Sequence, residues 1–317
     1  MNRLLLLPVL ACLLTFACAR DSQAQPWRPG PSGTEIALWP DGLAIARPAV
    51  EGEEKATTGP ELIGGRTVTA IANVTRPTMT IYPAQGRNTG AAIFVYPGGG
   101  YQILAVDLEG TDVCDWLTPR GITCIVLKYR VPWGGPHWDR TCSCQVVPPI
   151  PMALQDAQRA MVLFRRRAPS LGVDPHRIGV LGFSAGGHLV AAMSNATARA
   201  YPRVDAADDE SSRPDFAIAL YPGHLWNGHD LDLYDYMRVS AATPPTFLIQ
   251  AEDDPVDDVR HSLSYYMALR EAHVPTELHL YAHGGHAFGL RRTDQPITEW
   301  PALAEHWLRT IGMVRPT

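Results

Sequence analysis

Apolar runs alternate with amphipathic segments along most of the chain. Short runs rich in β-branched and aromatic residues predict strands at residues 68–72, 78–82, 91–96, 122–129, 178–181, 216–221, 246–250 and 277–281. Segments with apolar residues at helical spacing predict helices at residues 107–117, 152–168, 186–200, 231–239, 257–272 and 297–311. Because parallel strands need helical crossovers, this alternation predicts an α/β fold, with a mostly parallel central sheet of about eight strands and helices on both faces.

The first part of the chain lacks this alternation. Residues 25–65 are rich in Pro, Gly and charged residues, and they predict an extended N-terminal arm with one short strand at residues 35–38. The elements after residue 65 show no internal repeat and no sign of a second domain. Residues 66–317 are therefore expected to form a single domain.

Residues 1–24 have the features of a secretory signal peptide. Arg3 supplies a positive charge, residues 4–19 are nearly all apolar, and residues 22–24 offer a small-x-small cleavage site. A membrane anchor and a lipid attached to Cys12 or Cys18 are the alternatives, although about 16 apolar residues fall short of the roughly 20 that span a bilayer. We therefore expect a secreted or periplasmic protein without stable membrane insertion.

Composition narrows the functional classes. The chain of 317 residues is 46% hydrophobic, which is enough for a large core, and its 27 Lys and Arg against 32 Asp and Glu give a net charge of −5. Without a block of basic residues there is little electrostatic basis for binding nucleic acid or an anionic membrane.

The cysteines after residue 24 are Cys114, Cys124, Cys142 and Cys144. Four cysteines in an exported chain allow three disulfide pairings, and the sequence does not choose among them. No second Cys or His pair at metal spacing accompanies Cys142 and Cys144. We therefore expect disulfides or unpaired buried thiols and not a metal site.

The strongest chemical signal is the sequence Gly182-Phe183-Ser184-Ala185-Gly186-Gly187. It lies between a predicted strand and a predicted helix, which is the context of the sharp turn known as a nucleophile elbow. Such a turn strains the serine backbone, and the flanking glycines lack the Cβ atoms that would collide there. Ser184 is therefore the predicted nucleophile, and a surface turn that matches the pattern by chance is the alternative.

A second signal is the run Gly98-Gly99-Gly100, which follows the strand predicted at residues 91–96. Attack on a carbonyl places negative charge on its oxygen, and preorganised backbone N–H groups stabilise that charge. We predict that the N–H groups of Gly99 and Gly100, together with that of Ala185, form this oxyanion hole. A phosphate-binding loop is disfavoured because the run lacks a Gly-Lys-Ser/Thr ending.

A serine hydroxyl needs a base, and the base needs a carboxylate to orient it. Among the 11 His residues, His286 stands out because residues 282–289 form a glycine-rich loop after the last predicted strand. His283 on the same loop is the nearest alternative. His188, in the helix after the nucleophile, is expected to pack or to position other groups.

The predicted carboxylate is Asp254, in the acidic loop after the seventh predicted strand. Glu252 and Asp253 remain alternatives, because one residue of register exchanges them. Asp257 and Asp258 are interpreted as acids in the first turn of the next helix, where they favour the helix dipole.

These segments resemble the α/β-hydrolases of the esterase and lipase group. The resemblance rests on residues 96–101, 109–110, 127–130, 171–188, 253–256 and 284–289. The chain order of Ser184, Asp254 and His286 is also that of this superfamily. Within it, the chain is similar to secreted bacterial esterases related to acetyl xylan and other carbohydrate acetyl esterases. The resemblance implies an α/β-hydrolase fold, a Ser-His-Asp triad, and cofactor-free hydrolysis of short-chain, acetyl esters.

The chain departs from the pattern of these esterases at two places, one of them a pair of residues. Pro97 stands where many relatives have His, which leaves the geometry of the oxyanion donors open. Asp257 and Asp258 replace the usual Val-Pro pair after the acid.

Four aromatic residues are candidates for contacts with a sugar or another substrate: Tyr101, Trp133, Trp138 and Trp226. For the insertion that carries Trp133 and Trp138, a pinned surface loop is an equal alternative.

Three other functions are weighed against esterase activity. A peptidase of the prolyl-oligopeptidase kind uses the same triad, but usually with a further large domain for which the chain after residue 24 leaves no room. A glycosidase needs two carboxylates that face each other across a sugar, and the acids here have no such context. A catalytically silent binding protein is disfavoured because serine, acid and histidine are all present.

Overall fold

The computed structural model describes residues 26–132, 137–139, 144–146 and 151–314. The predicted signal peptide at residues 1–24 and Trp133 lie outside these ranges, as does the side chain of Trp138. Within the ranges, no helix has the length and apolar character needed to cross a membrane.

Strands and helices alternate through the described chain. The strands, in chain order, are β1 Thr34–Ala37, β2 Lys55–Ile63, β3 Arg66–Ala72, β4 Thr78–Tyr82, β5 Ala92–Tyr96, β6 Ile103–Ala105, β7 Thr123–Lys128, β8 His137–Asp139, β9 Cys144–Val146, β10 Ile178–Phe183, β11 Ala217–Leu220, β12 Thr246–Ala251 and β13 Thr276–Tyr281. The α-helices are α1 Asp112–Leu117, α2 Pro151–Arg167, α3 Ala185–Asn195, α4 Arg260–Glu271 and α5 Trp300–Thr310. A π-helical turn, Asp107–Thr111, leads into α1.

Eight strands form the central sheet, in the order β1-β4-β7-β5-β10-β11-β12-β13. β1 pairs antiparallel with β4, and β4 pairs antiparallel with β7. All pairs from β7 to β13 are parallel. The predicted α/β fold with a mostly parallel sheet is therefore confirmed.

The strand order reverses between β5 and β10. From β5 the chain crosses to β7 on one side, and from β7 it returns past β5 to β10 on the other. At such a switch point the loops after the two strands diverge and leave a crevice, which is where α/β sheets bind ligands. Gly98 to Gly100 follow β5 and Ser184 follows β10. The topology thus places the glycine run beside the predicted nucleophile.

The central strands are buried on both faces. Every residue of β5, β7, β10, β11 and β12 is buried, as expected for parallel strands covered by helices. Val, Ile, Leu, Phe and Ala dominate these strands. Uninterrupted apolar runs are easy to recognise in a sequence, and each of these strands lies close to its predicted position.

The N-terminal arm contributes two strands. β1 pairs with β4 and forms one edge of the central sheet, near the short strand predicted at residues 35–38. β2 was not predicted; it pairs with β3, and β3 pairs with β6 in a separate antiparallel sheet. The strand predicted at residues 68–72 therefore belongs to this smaller sheet and not to the central one.

The helix predicted at residues 231–239 is wrong. Turns occupy this segment, and a single bridge joins Leu233 to Trp226. The N–H of Tyr234 donates to the carbonyl of Leu225 at 3.1 Å, so contacts with the preceding loop replace the i→i−4 bonds of a helix. A segment this short forms a helix only where packing supports it.

A disulfide joins Cys114 in α1 to Cys124 in β7. Both residues are buried, so the bond fixes the first helix to the sheet from inside. Of the other two cysteines, Cys142 lies outside the described residues, as does the side chain of Cys144.

Candidate active site

Ser184 stands between the end of β10 and the start of α3, with φ 51° and ψ −120°. This backbone conformation is rare for a residue with a Cβ and is typical of the strain in a nucleophile elbow. Two glycines make the turn possible. A Cβ on Gly182 would lie 2.2 Å from the carbonyl oxygen of Gly186, and a Cβ on Gly186 would lie 2.0 Å from that of Tyr96.

Asp254 lies in the loop between β12 and α4, and its side chain is fully buried. Oδ1 accepts hydrogen bonds from the N–H groups of Val256 and Asp257 at 2.8 and 3.0 Å. Oδ2 accepts one from Gln250 Nε2 at 3.1 Å and lies 2.7 Å from His286 Nδ1. A carboxylate satisfied in this way fixes the orientation of the imidazole ring.

His286 lies on the loop after β13, and 13% of its side chain is exposed. Its ring packs edge-on against Tyr221, with 4.9 Å between the ring centroids. Burial lowers the pKa of the imidazole, but the hydrogen bond with Asp254 and the charges of Asp257 and Glu109 outweigh it, so the net pKa is raised. The surroundings therefore stabilise the protonated ring, as the acceptor of a proton requires.

The alternative acid and base form a separate pair at the surface. His283 Nδ1 lies 3.2 Å from Asp253 Oδ2, and 79% of the His283 side chain is exposed. Asp253 Oδ1 accepts the N–H groups of Gly285 and Gly284 at 2.8 and 2.9 Å, and these bonds lower the pKa of Asp253. Glu252 is also exposed. The Asp253 and His283 pair thus shapes the loop that carries His286.

The Ser184 hydroxyl donates its hydrogen bond to Asp257 Oδ2, at 3.2 Å. In the part of the chain that the structure describes, no hydrogen bond joins Ser184 to His286, although His286 Nε2 lies 3.9 Å from the same Asp257 oxygen. The interpretation of Asp257 as an acid in the first turn of a helix is wrong. The helix α4 begins only at Arg260, and 7% of the Asp257 side chain is exposed. Burial raises the pKa of Asp257 to about 6.

The glycine loop packs directly against Ser184. A Cβ on Gly98 would lie 3.1 Å from Ser184 Cβ. Gly99 and Gly100 have φ values of 125° and 59°, which favour glycine. The N–H of Ala185 is the first of α3 and has no acceptor within the helix. The structure thus brings the loop of Gly99 and Gly100 and the N-terminus of α3 to the same serine.

Glu109 lies beside these residues, although no motif in the sequence predicts a role for it. Its buried carboxyl accepts the N–H of Gly98 at 2.8 Å through Oε2 and the hydroxyl of Tyr221 at 2.8 Å through Oε1. The Tyr221 hydroxyl in turn accepts the N–H of Gly289 at 3.1 Å. Burial raises the pKa of Glu109. One carboxyl therefore connects the loops after β5, β11 and β13.

The aromatic candidates differ in exposure. Tyr101 is fully buried, and its hydroxyl lies 2.8 Å from Nδ1 of His188. Burial lowers the pKa of His188 well below its usual value, which favours the neutral ring. Its other nitrogen, Nε2, lies 3.0 Å from the hydroxyl of Tyr236. Trp226 is half-buried, with the guanidinium carbon of Arg260 3.7 Å from its ring centroid. Tyr101 is therefore enclosed in this structure and not open to a sugar ring, and the guanidinium of Arg260 covers one face of Trp226.

Hydroxyl, imidazole and carboxyl groups make up the chemistry of this site. Among the described residues, no group of three or more His, Cys, Asp or Glu side chains is arranged to hold a metal ion. A serine, an imidazole that a buried carboxylate orients, and backbone N–H groups around them can transfer an acyl group.

Known proteins resemble the chain in both sequence and structure. The model of the prolyl oligopeptidase family matches residues 167–312. An acetylxylan esterase of Xylanibacter ruminicola is 33% identical over 250 residues, which are 70% of this chain and 46% of that protein. An arylesterase of Saccharolobus solfataricus is 28% identical over 247 residues, which are 69% of this chain and 75% of that protein. This chain thus spans less than half the length of the acetylxylan esterase.

A solved structure covers nearly all of the described fold. The acetyl ester-xyloside bifunctional hydrolase from Caldicellulosiruptor lactoaceticus has a TM-score of 0.68 and 30% sequence identity, over 90% of this chain and 98% of that chain. The chain belongs to the α/β-hydrolase superfamily, in the group of esterases related to acetyl xylan esterase.

Proposed function

We propose that the protein is a serine esterase that hydrolyses short-chain esters, with acetyl as the acyl group, through Ser184, His286 and Asp254. The observation that carries the proposal is the 2.7 Å contact between the buried Asp254 carboxylate and His286 Nδ1. It occurs at the edge of the sheet where Ser184 occupies a strained turn. An imidazole held by a carboxylate beside such a serine is the machinery of acyl transfer.

Acylation begins when the Ser184 hydroxyl turns from Asp257 toward His286. The oxygen attacks the ester carbonyl while its proton passes to His286 Nε2, and Asp254 stabilises the imidazolium through Nδ1. The N–H groups of Gly99, Gly100 and Ala185 hold the negative oxygen of the tetrahedral intermediate. The imidazolium then protonates the alcohol oxygen, the carbon–oxygen bond breaks, and the alcohol leaves.

Deacylation repeats these steps with water. His286 takes a proton from water, whose oxygen attacks the acyl-enzyme carbonyl. The same N–H groups hold the second oxyanion. The proton returns to the Ser184 oxygen as the acid leaves, so no cofactor enters the proton or electron balance.

A carbohydrate ester, such as acetylated xylan, is the proposed substrate. Two of the similar proteins are named for acetylxylan or acetyl ester-xyloside hydrolysis, which supports this choice. Aromatic faces stack on apolar faces of ligands, which suits the aromatic residues for contact with a sugar ring. We assign Trp133, Trp138 and Trp226 to such contacts, and Tyr101, which is fully buried, to packing beside His188.

We also propose that residues 1–24 direct export and are removed, so that the mature protein begins at Gln25 with the arm of residues 25–65 ahead of the catalytic domain of residues 66–317. The charged start, the apolar stretch and the small residues at 22 and 24 support export. N-terminal sequencing of the exported protein would show another first residue if the proposed cleavage site is wrong.

Replacement of the nucleophile tests the catalytic proposal. Wild-type protein should hydrolyse p-nitrophenyl acetate, and Ser184→Ala should lower kcat by at least about 10³-fold because no acyl-enzyme can form. Ser194→Ala is the matched control. Ser194 lies in the same helix, and its hydroxyl donates to the Val190 carbonyl at 2.7 Å, outside the proposed triad. Activity retained by Ser184→Ala, or lost equally in both variants, contradicts the proposal.

The same assay, extended to other substrates, separates the esterase from a peptidase. A peptidase is the second candidate because the prolyl oligopeptidase family model matches residues 167–312. We expect the highest kcat/KM for acetylated xylan or sugar acetates, lower values for butyrate, long-chain and feruloyl esters, and no cleavage of peptide nitroanilides. A higher kcat/KM for a proline nitroanilide than for any acetate would favour the peptidase.

A further inference from the structure

The carboxyl of Asp257 lies between the proposed nucleophile and the proposed base. A single oxygen, Oδ2, accepts the hydrogen bond of the Ser184 hydroxyl at 3.2 Å and lies 3.9 Å from His286 Nε2. Nε2 is the nitrogen that faces away from Asp254, whose carboxylate contacts Nδ1. Asp257 thus occupies the place where serine and imidazole have to meet.

The position of Asp257 is fixed from several sides. Its N–H donates to Asp254 Oδ1 at 3.0 Å, and its carbonyl accepts from Gln250 Nε2 at 3.0 Å. Its carboxyl packs against the Cα of Gly223, where a Cβ would lie 2.3 Å from Oδ1. The loop that holds the proposed acid therefore also aims a second carboxyl at Ser184, and Gly223 leaves room for it.

We propose that Asp257 is a positioning residue that restrains the nucleophile: its carboxylate lies between Ser184 and His286 and holds the Ser184 hydroxyl away from His286 in the free protein. This inference rests on the proposed esterase function. Within that function, Asp257 helps to set the pH range in which His286 can accept the proton of Ser184.

The hydrogen bond explains the restraint on the hydroxyl. A charged acceptor forms a stronger hydrogen bond than a neutral one. Attack on an ester requires the Ser184 hydroxyl to leave Asp257 and turn to His286 Nε2. The substrate has to displace the hydroxyl from Asp257, so the negative carboxylate opposes the first step of acylation.

The charges around His286 give the direction of the pH effect. Burial lowers the pKa of His286, while Asp254, Asp257 and Glu109 raise it. Asp257 itself faces Ser184, His286, Asp254 and Glu109, and its own pKa of about 6 is raised chiefly by burial. His286 must be neutral to accept a proton, so activity rises as the pH passes the pKa of the Asp257 and His286 pair. Loss of the Asp257 charge removes one of the groups that raise the pKa of His286, so the pKa of His286 falls.

The experiment is the pH profile of kcat/KM for p-nitrophenyl acetate with wild type, Asp257→Asn and Asp258→Asn. We expect the acidic limb of Asp257→Asn to move down by about one pH unit, the size of effect typical of one charge at this distance. Asp258→Asn removes the same formal charge from an exposed side chain that pairs with Arg260. Its limb should stay with that of the wild type.

A second variant and a second readout keep the outcomes separate. Asp257→Ser, which is smaller and uncharged, replaces Asp257→Asn if the latter fails to fold, as judged by circular dichroism. Labelling of Ser184 by a fluorophosphonate, followed by intact mass across the same pH range, should show the same downward shift without any ester turnover.

Two results would overturn the inference alone: wild-type ester hydrolysis with an unmoved or raised limb in the Asp257 variants, and an equal shift in Asp258→Asn. A wild-type protein that neither hydrolyses esters nor reacts with the fluorophosphonate would overturn the proposed function and the inference together. A shift seen with both substrate and label supports them both.

Discussion

His283 and His286 lie on the same loop, but only His286 contacts a buried carboxylate. His283 pairs with the exposed Asp253, and most of its side chain is in solvent. His286 is nearly buried between Asp254 and Tyr221. Orientation by a buried partner is what allows a ring nitrogen to accept a proton in a defined direction.

Separate replacement of the two histidines should therefore give unequal losses. We expect His286→Ala to lower kcat/KM for p-nitrophenyl acetate by at least about 10³-fold, because the base and its link to Asp254 disappear. His283→Ala should stay within about twofold of wild type, as is usual for a surface substitution. The N–H groups of Gly284 and Gly285 still bind Asp253 in that variant and hold the loop. The reverse order of losses would assign the base to His283.

Residue spacing located the segments that meet but not every side chain that matters there. Ser184, Asp254 and His286 follow strand ends in an order that a superfamily pattern reveals. Asp257 also departs from that pattern, yet only coordinates show its carboxyl against Ser184. The direction of a side chain in a loop depends on packing, here on the space beside Gly223, and no local sequence rule encodes it.

At the scale of elements, three loops around the site depend on one buried acid. Glu109 bonds Gly98 in the loop after β5 and Tyr221 after β11, and Tyr221 bonds Gly289 in the loop after β13. The glycine loop of residues 98–100 and the histidine loop of residues 282–289 are far apart in the sequence, and these hydrogen bonds connect them. Their relative position therefore depends on a side chain in the π-helical turn before α1.

Removal of this acid should weaken both the fold and the activity. Glu109→Ala leaves the Gly98 N–H and the Tyr221 hydroxyl without their acceptor, which should cost about 2–4 kcal/mol in the free energy of unfolding measured with urea. We also expect kcat/KM to fall by about 10²-fold, because the loop that carries Gly99 and Gly100 loses its anchor at Gly98, which should misplace the proposed oxyanion donors.

Glu109→Gln is the matched control for that variant. It keeps the shape and one carbonyl oxygen, so its losses in stability and in kcat/KM should both be smaller. Equal stability of wild type and Glu109→Ala would show that the three loops are held by other contacts.

Sequence patterns predict most accurately the strands that are buried on both faces, because such strands are apolar at nearly every position. β10 and β12 are fully buried, and their apolar runs identify them. β2 is mostly exposed and contains Gly59 and Pro60, which normally signal a turn. The register shift between Thr58 and Leu62 accommodates both residues within the ladder, a feature that depends on the pairing with β3.

Across the whole molecule, buried charged groups of α2 and of the segment after β7 hold the N-terminal arm. The indole N–H of Trp39 donates to Asp156 Oδ1 at 2.8 Å, and Arg159 Nε donates to the carbonyl of Leu38 at 3.1 Å. The guanidinium of Arg130 donates to the carbonyl of Ala46. Arg130, Asp156 and Arg159 are all buried. The arm therefore supplies partners to groups that are costly to leave unpaired.

Removal of the arm should therefore cost more than its exposed appearance suggests. A protein that comprises residues 66–317 would lose β1, leave the edge of β4 unpaired, and expose the partners of Leu38 and Ala46. We expect it to be insoluble or to melt at least about 10 °C below a protein of residues 26–317, since each kcal/mol lost shifts Tm by roughly 2–4 °C at this chain length. Thermal unfolding followed by circular dichroism makes the comparison.

The longer protein serves as the control, because both proteins begin after the apolar N-terminal stretch and differ only in the arm. Equal melting temperatures would mean that the α/β domain is stable without β1, and that the buried arginines satisfy their hydrogen bonds through Asp156 and its neighbours alone.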